Sequence, residues 1–194
     1  MSRAQQALFG FVVTAALYGQ QTASSPAQPA PAGLETPWSI APVIQELAAH
    51  AGRLLDALNH IDTKAWEQKG ASETYSEQVQ SCKVQAKAFS DGAKALAANP
   101  EQLAASIQLF FRLQSLETIL GSVEEAMRKY QSPAGAEALA SLEGEAGPNR
   151  DRLQRYIIDL ASDRERQLKI TDEEAQRCRA LLTAPTSSKS GKKK

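Results

Sequence analysis

Two cysteines, Cys82 and Cys178, and two histidines, His50 and His60, are the side chains best suited to chemistry in this chain. Each histidine has a carboxylate four residues upstream: Glu46 before His50, and Asp56 before His60. That spacing lets each pair share one helix face, where such pairs are usually surface partners worth a few tenths of a kcal/mol. A di-iron centre in a helical bundle requires Glu-x-x-His pairs facing inward. Leu47 and Ala57 occupy the places of those glutamates, so no metal site is expected. There is no Gly-rich phosphate loop, no Gly-x-Ser-x-Gly elbow and no Cys-x-x-Cys, and no catalytic residue or cofactor is expected. Cys82 falls on an apolar stripe, where a thiol is inert rather than nucleophilic.

The elements that carry these residues read as helices. Residues 44, 47, 51, 54, 58, 61 and 65 are Ile, Leu, Ala, Leu, Leu, Ile and Ala, a stripe with alternating spacings of three and four. This predicts a first helix from Pro42 to Gln68, ended by Lys69-Gly70. Ser72 caps a second helix with the stripe Tyr75, Val79, Cys82, Ala86, Phe89, Ala93 and Leu96. Asn99-Pro100-Glu101-Gln102 has the form of a third helix start, and its stripe is Leu109, Leu113, Leu116, Leu120, Val123, Met127 and Tyr130. Short connections between three such helices imply antiparallel neighbours, and Ser132-Pro133 caps a fourth segment. The fold class is therefore all-α, an up-down four-helix-type bundle. Its last helix is long and either kinked or broken, at Gly144 to Asn149 or at the capping box Thr171-Asp172-Glu173-Glu174. The bland alternative is one long amphipathic helix whose far half projects from the bundle.

Domain organisation follows composition. Residues 1–23 resemble a secretory signal, with Arg3 followed by a short apolar run from Ala7 to Leu17; cleavage after Gly19 or after Ala23 both remain open. An uncleaved N-terminal anchor is the competing reading, weakened by the shortness of the run. With no cysteine near either cut, a lipoprotein-type anchor is not expected. Residues 24–40 form a Pro/Ala-rich linker, 41–183 the bundle, and 184–194 a Lys-rich tail. Beyond the signal no segment is apolar enough to span a membrane. The chain is expected to be exported, periplasmic or secreted.

Geometry sets the two cysteines against each other. Cys82 would lie about 15 Å from the end where helices two and four both start, and Cys178 about 65 Å down a continuous fourth helix. A disulfide needs Cα atoms within about 7 Å. Either the fourth segment folds back and Cys82–Cys178 is bridged, as export would favour, or both thiols stay free. An intermolecular bridge through Cys178 is a third course.

Formal charge is balanced, with 22 basic and 22 acidic residues. The terminal lysines hold part of the positive charge, which leaves the bundle mildly acidic. That excludes the basic face a nucleic-acid binder needs. The run from Asp159 to Arg179 mixes both signs, as a solvated face or a projecting docking arm would. The expected function is a non-enzymatic protein–protein interaction in the cell envelope, with self-association as one form of it. The alternative is a carrier holding a small hydrophobic ligand in a groove at Phe89, Phe110 and Met127. Phe110 and Phe111 cannot both face one core, so one of them is expected at a groove or partner surface.

Overall fold

The computed structural model describes residues 34–183. Helix makes up 88% of them, with no strand among the described residues. Six helices follow in order: α1 Pro37–Asn59, α2 Thr63–Gln68, α3 Glu73–Ala98, α4 Leu103–Tyr130, α5 Pro133–Gly144 and α6 Gly147–Thr183. The all-α bundle is thus the observed architecture. The expected signal (1–23), the tail (184–194) and the linker up to residue 33 lie outside the described residues.

The apolar stripes build the bundle. α1 packs between α3 and α6, and α4 packs against α3, α5 and α6. The core has two halves stacked along the bundle axis. One joins Ile40, Ile44, Leu47, Phe89, Leu96, Leu109, Leu113, Leu153, Tyr156 and Leu160. The other joins Leu54, Leu58, Trp66, Val79, Cys82, Leu116, Leu120, Val123, Met127 and Leu139. Leu116 and Leu120 are fully enclosed, and truncating either to alanine would cost about 2–5 kcal/mol. Small residues at Ala86 and Ala93, both fully buried, let α3 lie close to its neighbours.

Three boundaries differ from the sequence expectation. α1 starts at Pro37, not Pro42, so Pro37 to Ile40 are helical rather than linker, and Ile40 is fully buried. Pro42 sits inside the helix; the carbonyl that loses its donor belongs to Trp38, a 78% exposed residue. The first helix also breaks at His60 to Asp62, where the Asp62 carboxylate accepts the Ala65 amide at 3.0 Å and starts α2. Finally, α4 begins at Leu103, and Asn99 to Gln102 form the turn before it. Gly70 ends α2 with φ +87°, the left-handed conformation expected of it.

The fourth bundle position is filled by two helices end to end. Ser132 Oγ accepts the Gly135 amide at 3.2 Å and starts α5. The chain bends at Glu145 and Ala146 and continues as α6. Residues 133–160 together match the 28 residues of α4. α6, however, has 37 residues, and its surplus runs on past the bundle end. The capping box at Thr171 starts nothing: its hydroxyl donates to the Gln167 carbonyl at 2.9 Å inside an unbroken helix.

Candidate functional site

The distal half of α6 is the feature that bundle packing does not explain. Leu160 is the last buried residue of the helix. From Arg164 to Thr183 every residue is exposed except Ala175, which is half-buried. At 1.5 Å per residue this arm is about 30 Å long. Four large apolar side chains lie open to solvent on it: Leu168 (71% exposed), Ile170, Leu181 and Leu182 (86%). Exposed clusters of this kind on a short element mark contact surfaces more often than scattered single residues do.

The arm has a seam. Leu168, Thr171, Ala175, Cys178 and Leu182 recur at four- and three-residue steps, the a/d pattern of a coiled coil. Asp172 and Arg179 flank it on one side, Gln167, Glu174 and Leu181 on the other. Counted at about 100° per residue, this seam points to the same side of α6 as Leu153, Tyr156 and Leu160, which face the bundle. Arg164 stands at the junction. Its guanidinium donates to the Glu101 carbonyl at 3.4 Å and to Gln167 Oε1 at 3.0 Å, tying the root of the arm to the α3–α4 turn.

The root is also held from the N-terminal side. Arg152 on α6 pairs with Glu35 and donates to Ser39 Oγ at 3.0 Å. The Arg152 hydrogen bond, outweighing desolvation, holds the Glu35 carboxyl below its ordinary value. Arg150 pairs with Glu117 of α4 at 3.3 Å. Burial still pushes the Glu117 carboxyl up, against the pull of Arg150. Neither tie was read from the sequence, because Glu35 lies in the stretch assigned to the linker and nothing local marks a pair 117 residues apart.

The sequence-predicted cysteines are not brought together. Cys82 is a free, fully buried thiol on α3, and burial alone pushes its pKa up to about 11. Cys178 is a free, exposed thiol on the arm. α6 runs unbroken from Gly147 to Thr183 and does not fold back, which is why no intrachain bridge joins the two.

The two histidines part company. His60 Nδ1 donates to the backbone carbonyl of Asp56 at 2.7 Å, not to its carboxylate. His50 was expected beside the stripe but is only 2% exposed, because α1 is covered on more than one side. Its Nδ1 has no hydrogen-bond partner, and burial, aided by Arg53, lowers its pKa so that the ring stays neutral. Among the described residues no group of three His, Cys, Asp or Glu side chains could hold a metal ion.

The groove expected at Phe89, Phe110 and Met127 does not form. Phe89 belongs to one half of the core and Met127 to the other. Phe110 is half-buried and meets Phe111 edge-on at 6.3 Å, while Phe111 is 61% exposed. An open cleft of about 460 Å³ lies on the outer side of α3 and α4, lined by Gln85, Ala88, Gln108, Phe111, Arg112 and Ser115. A second, of about 350 Å³, continues from it past Gly92, Leu96 and Leu109. Met127 instead lines a third, of about 300 Å³, with Ile61 and Leu139.

No family of known proteins matches this sequence, and no curated protein or solved structure is significantly similar to it. None of the described helices is long and apolar enough to cross a membrane.

Proposed function

We propose that this protein is an exported, non-enzymatic interaction protein of the cell envelope, a helical bundle that presents the distal half of α6 as a docking arm. One observation carries the reading: from Arg164 onward the helix contributes nothing to the core, yet it keeps an apolar seam with charged flanks. A helix of about twenty residues without packing is marginal in water. Contact with another helix along the seam supplies the burial that the bundle does not. The mixed charge of the flanks sets orientation and partner choice rather than raw affinity.

The test is site-specific photocrosslinking in an exporting host, with the photoreactive residue at Leu168 or Leu182 and, for comparison, at Glu77 on the bundle. Discrete adducts from the two arm positions, absent at Glu77, are the expected result. Equal or no crosslinking at all three positions would refute the docking arm.

The α3/α4 cleft favours a second reading, a carrier for an amphipathic anion. Phe111 and Ala88 offer the apolar wall, and Arg112, flanked by Gln85 and Gln108, offers the counter-charge. Fatty-acid titration followed by thermal denaturation tests it. A saturable rise in Tm that Arg112→Ala abolishes supports the carrier, and an unchanged Tm removes it.

A further inference from the structure

Building on the docking-arm reading, we infer that the partner of the arm is the arm of a second copy of this chain, paired antiparallel along the seam. Three observations lead there. The first is steric. The seam lies on the same side of α6 as Leu153, Tyr156 and Leu160, so the bundle occupies the space beyond the proximal end of the seam. Two parallel arms would bring both bundles to that end, each in the path of the other. Antiparallel arms place the bundles at opposite ends, and each tip enters the open space in front of the other copy's bundle.

The second observation is charge. In an antiparallel pair the residues flanking the seam on one side meet their own kind in the other copy. With Ala175 set against Cys178 of the second copy, Asp172 lies beside the second copy's Arg179, and Arg179 beside its Asp172. Two-fold symmetry therefore produces two attractive pairs and no like-charge contact. Sliding the arms by one heptad toward greater overlap sets Asp172 against Asp172 and Glu174 against Glu174. That slide also drives Thr183 level with Asp163, at the end of the bundle. Charge and space select the same register.

The third observation is shape. In that register Thr171 faces Leu182 and Ala175 faces Cys178, so the bulkier seam residues meet the smaller ones. The overlap is about fourteen residues on each arm, which places the contact at the small end of specific interfaces. The dimer is accordingly weak and reversible, and Cys178 contributes to it as a packed thiol without any covalent bond.

Sedimentation equilibrium of the processed full chain under reducing conditions tests the pairing, and the expected result is a concentration-dependent monomer–dimer equilibrium. Arg179→Asp converts both attractive pairs into repulsive ones and should weaken the dimer roughly tenfold. Asp172→Arg combined with Arg179→Asp restores the pairs and should restore the affinity. Both sites are exposed, so the fold is not at stake. Spin labels at Glu165→Cys in a Cys178→Ser background should sit roughly 35 Å apart in the antiparallel dimer, against roughly 15 Å in a parallel one. A chain that stays monomeric to about millimolar concentration, a double variant that fails to recover, or a short label distance would each overturn the inference. A monomeric chain that still yields arm-specific crosslinks to another protein would overturn self-pairing while leaving the docking arm in place.

Discussion

Ending the chain after Asp163 removes the whole arm, and the structure fixes what this should do to stability. No buried residue lies beyond that point among the described residues, so the arm takes no apolar transfer energy with it. Among the described residues, the one hydrogen bond surrendered to the bundle is the long one from Arg164 to the Glu101 carbonyl, which is exposed to water. Such a bond contributes about 1 kcal/mol at most. Urea unfolding is well suited to the measurement. Trp66 is 1% exposed, with its indole N–H donating to Gln131 Oε1 at 2.9 Å, so its fluorescence reports the core directly. The truncated protein should show an unfolding free energy within about 1 kcal/mol of the full chain, and its helical ellipticity should fall by roughly a seventh if the arm is fully helical. A loss of more than about 2 kcal/mol would refute the claim that the arm is energetically separate, because a core contact would then have to run through it.

Other expectations are equally direct. Tyr156 is 1% exposed and its hydroxyl has no hydrogen-bond partner, so Tyr156→Phe should raise stability by about 1 kcal/mol, read by the same urea titration. A thiol reagent should modify one cysteine, Cys178, at once, and Cys82 only on unfolding, since its thiol is enclosed and its pKa is near 11; mass spectrometry of the labelled peptides checks this. Glu124 is pushed up by burial first and by Glu143 second, and one of its carboxylate oxygens is buried without a partner. A raised carboxyl favours the fold when protonated, so its contribution is present below the ordinary value near 4.5 and lost as pH rises through the folded value. Glu124→Gln should therefore stabilise the protein at neutral pH, with an advantage that shrinks on acidification. Glu35 works in the opposite sense: its lowered carboxyl stabilises the fold above its ordinary value, and that contribution fades as pH falls through the folded one. Glu35→Gln should be costliest near neutral pH and cost progressively less in acid.

The stripes of α1, α3 and α4 were legible because each is one-sided and regular. Leu47, Leu54, Cys82, Phe89, Leu116 and Leu120 are all buried where the three-and-four spacing puts them. The break before α2 was not legible, because Ile61 and Ala65 continue the stripe with neither glycine nor proline between. The cap that starts α2 is the Asp62 side chain, a signal easily lost in a helical run. The opposite error arose at Thr171, where a residue pattern typical of a helix start lies inside a helix already under way. The projecting arm was present in the sequence as a change of pattern, from Leu160 to Arg164 and Gln167. Whether that change meant a fold-back or an overhang depended on the length of the bundle, which no local window contains. Which face of α3 and α4 carries the cleft was hidden for a similar reason. Phe111 carries the same residue type as Phe110, and only the packing of a neighbouring helix decides which of the two turns outward.

The end-to-end filling of the fourth bundle position has a mechanical consequence. The arm is rigidly continuous with the part of α6 inside the bundle, so any load on its tip acts as on a lever. Within the bundle α6 is anchored by three buried side chains, Leu153, Tyr156 and Leu160, with the Arg150 and Arg152 pairs beside them. α1, α3 and α4 each bury eight or more residues. The bend at Glu145 and Ala146 gives α6 a hinge, and α5 can stay seated on Met127 and Leu120 while α6 swings. Tension across the two paired arms would therefore lift α6 first, baring the half of the core around Phe89 and Leu109 and leaving the other half closed.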